Sequence, residues 1–297
     1  MFTGCGTALV APFKKDLSLD EDAARALIRR QIDAGIDFLV PCGTTGESPT
    51  LKPEEHLRII EIAVSESNGK TPVMGGAGGY NTAEVIEMAK AVEAAGADGI
   101  LSVTPYYNKP TQEGLFQHYQ AIAAAVKIPI FVYSVWGRTG INVLPATLAR
   151  LAEIDNIAGV KEASGNINQM GKVINCTPDD FIVLSGDDSM TVPQMALGGK
   201  GLISVAANEI PAEMTALVAA GLQGDFAKAR EIHHKYLALM DVNFIESNPI
   251  PVKAAMAMMG LLEPVWRLPL TPPNSDNLKQ IKKVLEQAGL PIKKDEC

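Results

Sequence analysis

The chain has 297 residues, of which 47% are hydrophobic and 20% are charged, so it can form one large globular domain or a domain with an appendage. Its formal net charge of -8 argues against nucleic acid as the main partner, because binding of phosphate groups requires clustered Lys and Arg. No stretch approaches the roughly 20 consecutive apolar residues that cross a bilayer, so we expect no membrane partner.

Short apolar runs recur along the chain, and amphipathic segments lie between them. Apolar runs of this length, bounded by turn residues, are typical of buried parallel strands. The eight predicted strands are Thr7–Val10, Asp37–Pro41, Val73–Gly76, Gly99–Val103, Ile130–Tyr133, Ala158–Lys161, Phe181–Ser185 and Gly201–Val205. The predicted helices between them are Leu19–Ala34, Glu54–Glu66, Thr82–Ala95, Glu113–Val126, Pro145–Glu153, Ile167–Cys176 and Met190–Leu197. The N-terminal apolar stretch ends at Phe13, before Lys14 and Lys15, which predicts a first strand and not a signal peptide.

Several helical patterns begin and end with residues that usually cap helices. The predicted N-caps, whose side chains accept hydrogen bonds from the first turn, are Asp20, Thr82 and Ser189. The glycines predicted to adopt the left-handed conformation after a helix are Gly35, Gly96 and Gly198.

Eight β-then-α units over about 200 residues predict a (β/α)8 barrel. The alternative is a doubly wound sheet, which usually has fewer strands and a G-x-G-x-x-G turn after the first. That spacing fails here, because Leu9 follows Gly4-Cys5-Gly6 and Asn81 follows Gly76-Ala77-Gly78. We therefore expect an α/β protein built on a TIM barrel.

The strand pattern stops after Val205, and only helical patterns follow. They are Pro211–Leu222, Asp225–Val242, Ile250–Leu262 and Asn274–Ala288. We predict a catalytic barrel over residues 1–224 and a helical C-terminal domain over residues 225–297 that packs on the barrel.

The cysteines are isolated from one another along the chain. They are Cys5, Cys42, Cys176 and Cys297, with no C-x-x-C pair and no His at metal-ligand spacing. This pattern argues against a structural zinc site and is typical of proteins in a reducing cytosol. We expect a cytoplasmic protein that uses neither a metal nor a cofactor.

Lys161 closes the sixth predicted strand and is the most informative residue of the chain. Burial at the mouth of a barrel disfavours the ammonium form, and a neutral amine can attack a carbonyl carbon to form a Schiff base. The alternative for a lone lysine at a strand end is an ion pair with Glu162 or extension to solvent. The other residues at the strand ends favour the Schiff base.

Catalytic groups of a TIM barrel lie at the carboxyl ends of its strands. Gly43-Thr44-Thr45-Gly46 follows the second strand and offers two hydroxyls and two backbone N–H groups to a carboxylate, although a plain βα turn is the alternative. Tyr133 ends the fifth strand, where its hydroxyl can relay a proton near Lys161; the alternative is a tyrosine that caps the core. Arg138, in the next loop, suits bidentate carboxylate binding or is a solvated loop residue.

Other chemistries lack their residues in this sequence. No G-x-S-x-G motif is present, and metal-assisted hydrolysis lacks ligands. Asp187 and Asp188 follow the seventh strand, but the fourth strand ends in Thr-Pro, so a paired-carboxylate glycosidase lacks its second group. Four histidines lie in predicted helices, away from the strand ends, and most are expected at the surface or an interface: His56, His118, His233 and His234.

The order and spacing of these motifs resemble the dihydrodipicolinate synthase family, within the pyruvate-dependent class I aldolases. The matching motifs are Gly43-Thr-Thr-Gly-Glu47, Tyr106-Tyr107-Asn108, Tyr133, Arg138-Thr139-Gly140 and Lys161. The resemblance covers the whole chain and includes Asn248-Pro-Ile-Pro-Val-Lys253. It implies a lyase of diaminopimelate and lysine biosynthesis that condenses pyruvate with L-aspartate 4-semialdehyde to 4-hydroxy-tetrahydrodipicolinate.

The resemblance also implies how the first substrate is held. Lys161 would form the Schiff base with pyruvate. Thr44 and the backbone of Thr45 would hold the pyruvate carboxylate, and Gly186 and Ile203 would line the pocket.

Proton transfer and the second substrate involve further residues in this resemblance. Tyr133, Thr44 and Tyr107 would form the proton relay, with Tyr107 reaching in from a neighbouring subunit. Such a shared site implies a homo-oligomer, and the family commonly forms homotetramers. Arg138 would bind the carboxylate of aspartate semialdehyde.

Family members inhibited by lysine bind it at a dimer interface. The residues of this chain that match that allosteric site are Ser48, His56, Glu84 and Tyr106. Tyr80 and Pro53 depart from the pattern, since Tyr80 stands where such members usually have Asn.

The loop after the fifth strand departs from the family pattern. The family usually has Tyr-Asn-x-Pro, whereas this chain has Tyr133-Ser134-Val135-Trp136, directly before the residues that carry Arg138. An alternative acceptor aldehyde therefore stays open, as in N-acetylneuraminate lyase or the 2-keto-3-deoxy sugar-acid aldolases. A further alternative is a non-catalytic homologue that binds a keto acid.

Overall fold

In the computed structural model, which describes residues 1–293, eight parallel strands form a barrel. The strands are β1 (Gly4–Ala8), β2 (Phe38–Val40), β3 (Met74–Gly76), β4 (Gly99–Val103), β5 (Ile130–Ser134), β6 (Ile157–Glu162), β7 (Ile182–Ser185) and β8 (Gly201–Ser204). They follow the order β2-β1-β8-β7-β6-β5-β4-β3. A parallel bridge between Leu39 and Val73 joins β2 to β3 and closes the ring. The predicted (β/α)8 barrel is confirmed.

Helices connect the strands and continue after the last one. They are α1 (Glu21–Asp33), α2 (Pro53–Ser67), α3 (Thr82–Ala94), α4 (Gln112–Ala123), α5 (Trp136–Thr139), α6 (Pro145–Leu151), α7 (Ile167–Cys176), α8 (Thr191–Ala196), α9 (Pro211–Leu222), α10 (Phe226–Val242), α11 (Ile250–Met258) and α12 (Ser275–Gln287). Among residues 1–293, no helix combines the length and the apolar character needed to cross a membrane.

The first strand lies earlier in the chain than its apolar pattern predicted. It begins at Gly4 and pairs through Gly4–Thr7 with β8, whereas the prediction began at Thr7 and ran to Val10. Glycine is rare in strands, which is why the apolar pattern did not include Gly4 and Gly6 in the first strand. Here it is required by packing, because a Cβ on Gly6 would lie 2.1 Å from the ring of Phe38.

The helix caps agree only in part with the prediction. Asp20 caps α1 by accepting a hydrogen bond from the N–H of Ala23 at 3.1 Å. The prediction of Thr82 was wrong, because Asn81 caps α3 instead; the prediction of Ser189 was also wrong, because α8 begins after Met190. The three predicted left-handed glycines are confirmed, with positive φ angles at Gly35, Gly96 and Gly198.

Apolar side chains fill the barrel below the strand ends. The ring of Phe2 packs edge-on against Phe38 and Phe131, with centroids 5.6 and 5.5 Å apart. The same cluster rises through Leu184 to Tyr133. Polar side chains of the barrel interior are therefore directed to the carboxyl ends of the strands, where a TIM barrel holds its site.

The C-terminal helices pack against the barrel. Tyr236 and Leu239 of α10 and Ile281 of α12 are buried in one hydrophobic cluster with Leu202 of β8. The division of the chain at residue 224 stays a prediction, and residues 294–297, including Cys297, lie outside the described part.

A carboxyl group is buried between the start of α9 and the end of α10. Glu209 is fully buried and accepts one hydrogen bond, from the Asn243 side chain at 2.6 Å. Its other carboxyl oxygen has no partner within residues 1–293. Burial raises the pKa of Glu209 to about 8, so this side chain is protonated at neutral pH.

Glu209 should make the fold less stable as the pH rises. Its pKa is higher in the folded than in the unfolded chain, so the folded state binds the extra proton between about pH 4.5 and 8. We expect this group to lower the free energy of unfolding across that window, by at most ~1.4 kcal/mol per pH unit. Urea denaturation of Glu209→Gln, which stays neutral, should show a smaller loss of stability with pH. Parallel pH profiles for the two proteins would contradict this.

Candidate active site

Lys161 and Tyr133 face each other at the end of neighbouring strands. They are paired in the β5–β6 register, and Lys161 Nζ lies 4.3 Å from the centroid of the Tyr133 ring. Lys161 is only 5% exposed. The predicted juxtaposition of a buried amine and a strand-five tyrosine is therefore present, with the aromatic face directly beside the nitrogen.

Glu162 is not the partner of Lys161. Successive side chains of a strand point to opposite faces, so Glu162 points outward towards the helices. Its carboxylate accepts hydrogen bonds from Gln169 Nε2 at 2.8 Å and from the N–H of Ser164 at 3.2 Å. The ion pairs found within residues 1–293 do not include Lys161. The alternative of a lysine paired with Glu162 is thus wrong.

A small cavity of about 110 Å³ opens beside Lys161. Thr45, Tyr133, Arg138 and Gly186 also line it. Glycine is required at position 186, because a Cβ there would lie 3.2 Å from Lys161 Cε and 2.6 Å from Ala163 Cβ. The cavity therefore brings together the amine, the tyrosine, the guanidinium and the glycine that the sequence predicted.

Two predicted pocket residues lie just outside this cavity. Ile203 is buried in the barrel interior, in the same cluster as Tyr133, and Val205 is the residue after β8 that lines the cavity. Thr44 is half-buried and lines a larger adjoining cavity that also contacts Tyr133. The backbone N–H groups of Thr44 and Thr45 donate to no acceptor in the described part of the chain, so both are free for a ligand.

Two residues in the C-terminal part of the chain hold the loop after β2, one just before α11 and one within it. Asn248 Nδ2 donates to the Thr45 hydroxyl at 2.9 Å. Two residues further along the loop, Glu47 forms a fully buried ion pair with Lys253. Lys253 Nζ also lies 4.5 Å from the centroid of the Phe13 ring. These contacts hold the Thr44–Thr45 backbone at the mouth of the barrel.

Arg138 lies in α5, a single turn directly after β5. The N–H groups of Arg138 and Thr139 both donate to the carbonyl of Val135, at 3.0 and 3.1 Å. The Arg138 guanidinium donates to the carbonyl oxygen of Asn248 at 3.1 Å, which orients it across the small cavity. Trp136, in the same turn, is 60% exposed and lines neither cavity.

Tyr107 does not lie in the site formed by its own chain. It is 89% exposed and adopts a left-handed backbone conformation, with φ of 61°, in the loop after β4. Its ring projects away from the chain. In the same loop, the Tyr106 ring packs edge-on against Tyr80, with centroids 5.1 Å apart.

A larger cavity of about 480 Å³ adjoins the site. The four residues predicted for lysine binding all line it: Ser48, His56, Glu84 and Tyr106. Tyr133 and Arg138 contact both cavities, so the larger space continues into the smaller one. The sequence motif thus identified residues that do converge in space.

Most histidines were predicted at the surface or an interface, and two of them are buried within the chain. His56 is buried, and its Nε2 donates to the Gly76 carbonyl at 2.7 Å. His118 is buried beside the Thr82 hydroxyl, and burial lowers its pKa to about 4. His233 is partly buried and His234 is exposed on α10.

Comparison with known proteins identifies the family. The model of the dihydrodipicolinate synthetase family matches residues 1–288. The chain belongs to this family. The 4-hydroxy-tetrahydrodipicolinate synthase of Koribacter versatilis is 54% identical over 97% of this chain and 96% of its own length. The resemblance predicted from the motifs is confirmed, and with it the identity of the chain as an enzyme.

Solved structures of the family share the fold closely. The dihydrodipicolinate synthase of Aquifex aeolicus superposes with a TM-score of 0.96 at 45% identity, covering 98% of this chain and all of its own. The chloride-inhibited enzyme of Acinetobacter baumannii, solved with pyruvate, gives a TM-score of 0.96 at 41% identity, covering 98% and 100%.

Some residues of the site were not assigned a role from the sequence. Asn248 and Phe244 line the small cavity, yet they precede α11, far from any strand end. Asp187 was considered only as half of a carboxylate pair, although it also lines this cavity. Its position directly after β7 was the available signal.

The buried ion pair gives a test of how the site loop is held. Lys253→Met should lower the free energy of unfolding by about 3–5 kcal/mol, because it leaves the Glu47 carboxylate buried without a cation. Adding Glu47→Gln removes that charge and should restore much of the loss. Chemical denaturation of the two single variants and the double variant measures the coupling. Additive losses would contradict the assignment.

Proposed function

We propose that Lys161 forms a Schiff base with pyruvate and that the resulting enamine condenses with L-aspartate 4-semialdehyde. The observation that supports this most directly is the buried Lys161 amine against the Tyr133 ring, at one wall of a cavity that also holds Arg138. The product is 4-hydroxy-tetrahydrodipicolinate, which feeds diaminopimelate and lysine biosynthesis. The chemistry needs no bound cofactor.

The amine of Lys161 attacks the C2 carbonyl of pyruvate to give a carbinolamine, which loses water to form the imine. Loss of a methyl proton then gives the enamine. Its carbon attacks the aldehyde carbon of the second substrate, and the aldehyde oxygen takes up a proton. The amino group of that substrate finally attacks the imine carbon, which closes the ring and frees Lys161.

Proton transfers in these steps fall to the hydroxyls around the amine. We assign them to Tyr133, whose ring lies against the amine, and to Thr44, which lines the larger cavity together with Tyr133. The free N–H groups of Thr44 and Thr45 are suited to bind the pyruvate carboxylate, since backbone N–H groups are strong anion donors. Gly186 leaves room for the imine carbon, and Ile203 supports the pocket from below.

The charges of the small cavity suit an amino acid aldehyde. Arg138 offers a guanidinium for its carboxylate. Asp187 carries a carboxylate whose hydrogen bonds within residues 1–293 come from Ser189 alone, both at 2.9 Å. The buried Oδ1 of Asn248 has no partner within residues 1–293. With Lys161 engaged in the imine, the guanidinium and two acceptors on the same cavity favour a zwitterion, and so favour aspartate semialdehyde over a neutral sugar aldehyde.

Tyr107 completes the relay from a second copy of the chain in this proposal. Its almost complete exposure fits a side chain that reaches across an interface. We therefore propose a homo-oligomer, with the homotetramer usual for the family as its form. The free thiols of Cys5, Cys42 and Cys176 fit a cytoplasmic location.

The larger cavity is our candidate for a regulatory lysine site. Glu84 supplies a carboxylate for an ammonium group, and Ser48 and His56 line the wall near the site loop. Tyr106, in the same wall, is adjacent in sequence to Tyr107. A ligand here would contact the residue next to the proposed relay.

Borohydride trapping tests the Schiff base. Incubation with pyruvate and sodium borohydride should add one reduced pyruvate to the protein, seen by intact mass and mapped to Lys161. Lys161→Ala should give no adduct and no turnover, because the attacking amine is gone. The control is Lys172→Ala, an exposed lysine of α7, which should trap pyruvate normally. Trapping on any other lysine would refute the mechanism.

Variants of the small cavity test the acceptor. Arg138→Ala should lower kcat/KM for aspartate semialdehyde by about 10- to 100-fold, the loss of a charged hydrogen bond, while pyruvate trapping persists. Arg150→Ala changes a surface arginine over Phe116 and is the control.

A second variant tests the carboxylate of the small cavity. Asp187→Asn should weaken the binding of aspartate semialdehyde but not that of succinic semialdehyde, which lacks the ammonium group. Equal effects on both aldehydes would rule out the role of Asp187. Faster turnover of a sugar aldehyde would favour the other aldolases.

A further inference from the structure

A buried set of polar side chains lies directly behind the two catalytic strand ends. Ser134 and Glu162 are paired in the β5–β6 register, one residue beyond Tyr133 and Lys161. Both are fully buried and face the helices, opposite to the cavity. The catalytic pair and this second pair are thus two faces of the same strand ends.

Gln169 of α7 links this pair to the segment after the Arg138 turn. Its Nε2 donates to Glu162 at 2.8 Å and to the Asn142 side-chain oxygen at 3.0 Å. Asn142 Nδ2 donates back to Gln169 Oε1 at 2.6 Å, so the two amides form a reciprocal pair. Three hydrogen bonds of one side chain therefore connect β6 to residue 142.

Asn142 is held in turn where the Arg138 loop returns to the barrel. The Ser134 hydroxyl accepts from the N–H of Val143 at 3.2 Å, and the Asn142 carbonyl accepts from Gln112 of α4 at 2.8 Å. Residue 142 lies four positions after Arg138, directly beyond the turn capped by Thr139. The position of Arg138 therefore depends on where Asn142 is fixed.

We infer that Gln169 is a positioning residue, which holds the acceptor-binding Arg138 turn in register with the Lys161 strand. The inference rests on the proposed function. Strand β6 is hydrogen-bonded on both sides, to β5 and β7, so Lys161 stays in place without Gln169. The Arg138 turn has no such ladder, and it is the part that moves when the amide pair is lost.

The two half-reactions separate this role from a merely structural one. Gln169→Leu should leave pyruvate handling intact, measured as borohydride trapping and as exchange of the pyruvate methyl protons in D₂O followed by NMR. The KM for aspartate semialdehyde should rise by about tenfold or more, since misplacing a binding group by about 1 Å has large effects. Gln117→Leu, a polar-to-apolar change on the exposed face of α4, is the matched control.

A swapped amide pair provides the rescue. Asn142→Gln combined with Gln169→Asn keeps one amide on each side. This double variant should return the KM for the aldehyde most of the way to the value of the unsubstituted protein. If Gln169→Leu does not fold, Asn142→Ser cuts the same link from the other side and carries the same expectation.

The outcomes are distinct. An unchanged aldehyde KM overturns the inference, as does a parallel loss of methyl-proton exchange and aldehyde use, which marks a general structural role. Failure of the unsubstituted protein to exchange the methyl protons overturns the proposed function, and the inference with it. A selective rise in aldehyde KM that the swapped pair reverses supports both.

Discussion

The buried ion pair between Lys253 and Glu47 is the interaction on which the site depends most. It joins a residue of α11 to the loop after β2, 206 positions earlier in the chain, and both side chains are fully excluded from solvent. An uncompensated charge in such a place is strongly destabilising, so each residue requires the other. The short loop between β2 and Glu47 contains Thr44 and Thr45, which line the larger and the smaller cavity. The C-terminal helices are therefore part of the site, and not only a cover for the barrel.

The two-residue period of the strands is the second constraint. It places Lys161 and Tyr133 on the inner face and Glu162 and Ser134 on the outer face of the same strand ends. The carboxylate of Glu162, next in sequence to Lys161, is thereby kept from pairing with its amine. Were β6 displaced by one residue, Glu162 would face the cavity and Lys161 would be buried against the helices. The parallel ladders on both sides of β6 prevent that slip.

The sequence predicted the barrel well because each strand is a short apolar run and each helix an amphipathic one. Lys161, Tyr133, Thr45 and Arg138 were singled out because a TIM barrel collects its chemistry at strand ends, and Gly186 because of the family resemblance. The contacts that hold these residues were not predictable in the same way. Pairings such as Asn248 with Thr45 and Lys253 with Glu47 join residues more than 200 positions apart, with no local pattern to reveal them.

Local patterns also failed where packing decided the outcome. Strand β1 contains Gly4 and Gly6, which propensity disfavours, because the Asp37 side chain and the Phe38 ring occupy the space that their side chains would need. His56 and His118 lie on helices whose charged residues are exposed or half-buried, yet both are buried with one hydrogen-bond partner each. Helical periodicity indicates which face is apolar, but it does not reveal a polar residue that finds a buried partner.

The Arg138 turn illustrates how a family pattern can change without loss of geometry. The family usually has proline where this chain has Trp136, and proline would stiffen the start of the turn. Here the turn is fixed by other groups: the Thr139 hydroxyl donates to a backbone carbonyl, and Gly140, with φ of 68°, ends the turn in the left-handed region. The N–H of Gly140 donates to the Trp136 carbonyl at 2.9 Å. Since the acceptor is a backbone carbonyl, any residue at position 136 can make this hydrogen bond. The Trp136 side chain is 60% exposed and lines neither cavity, so Arg138 is positioned by Val135, Thr139 and Asn248 and not by residue 136.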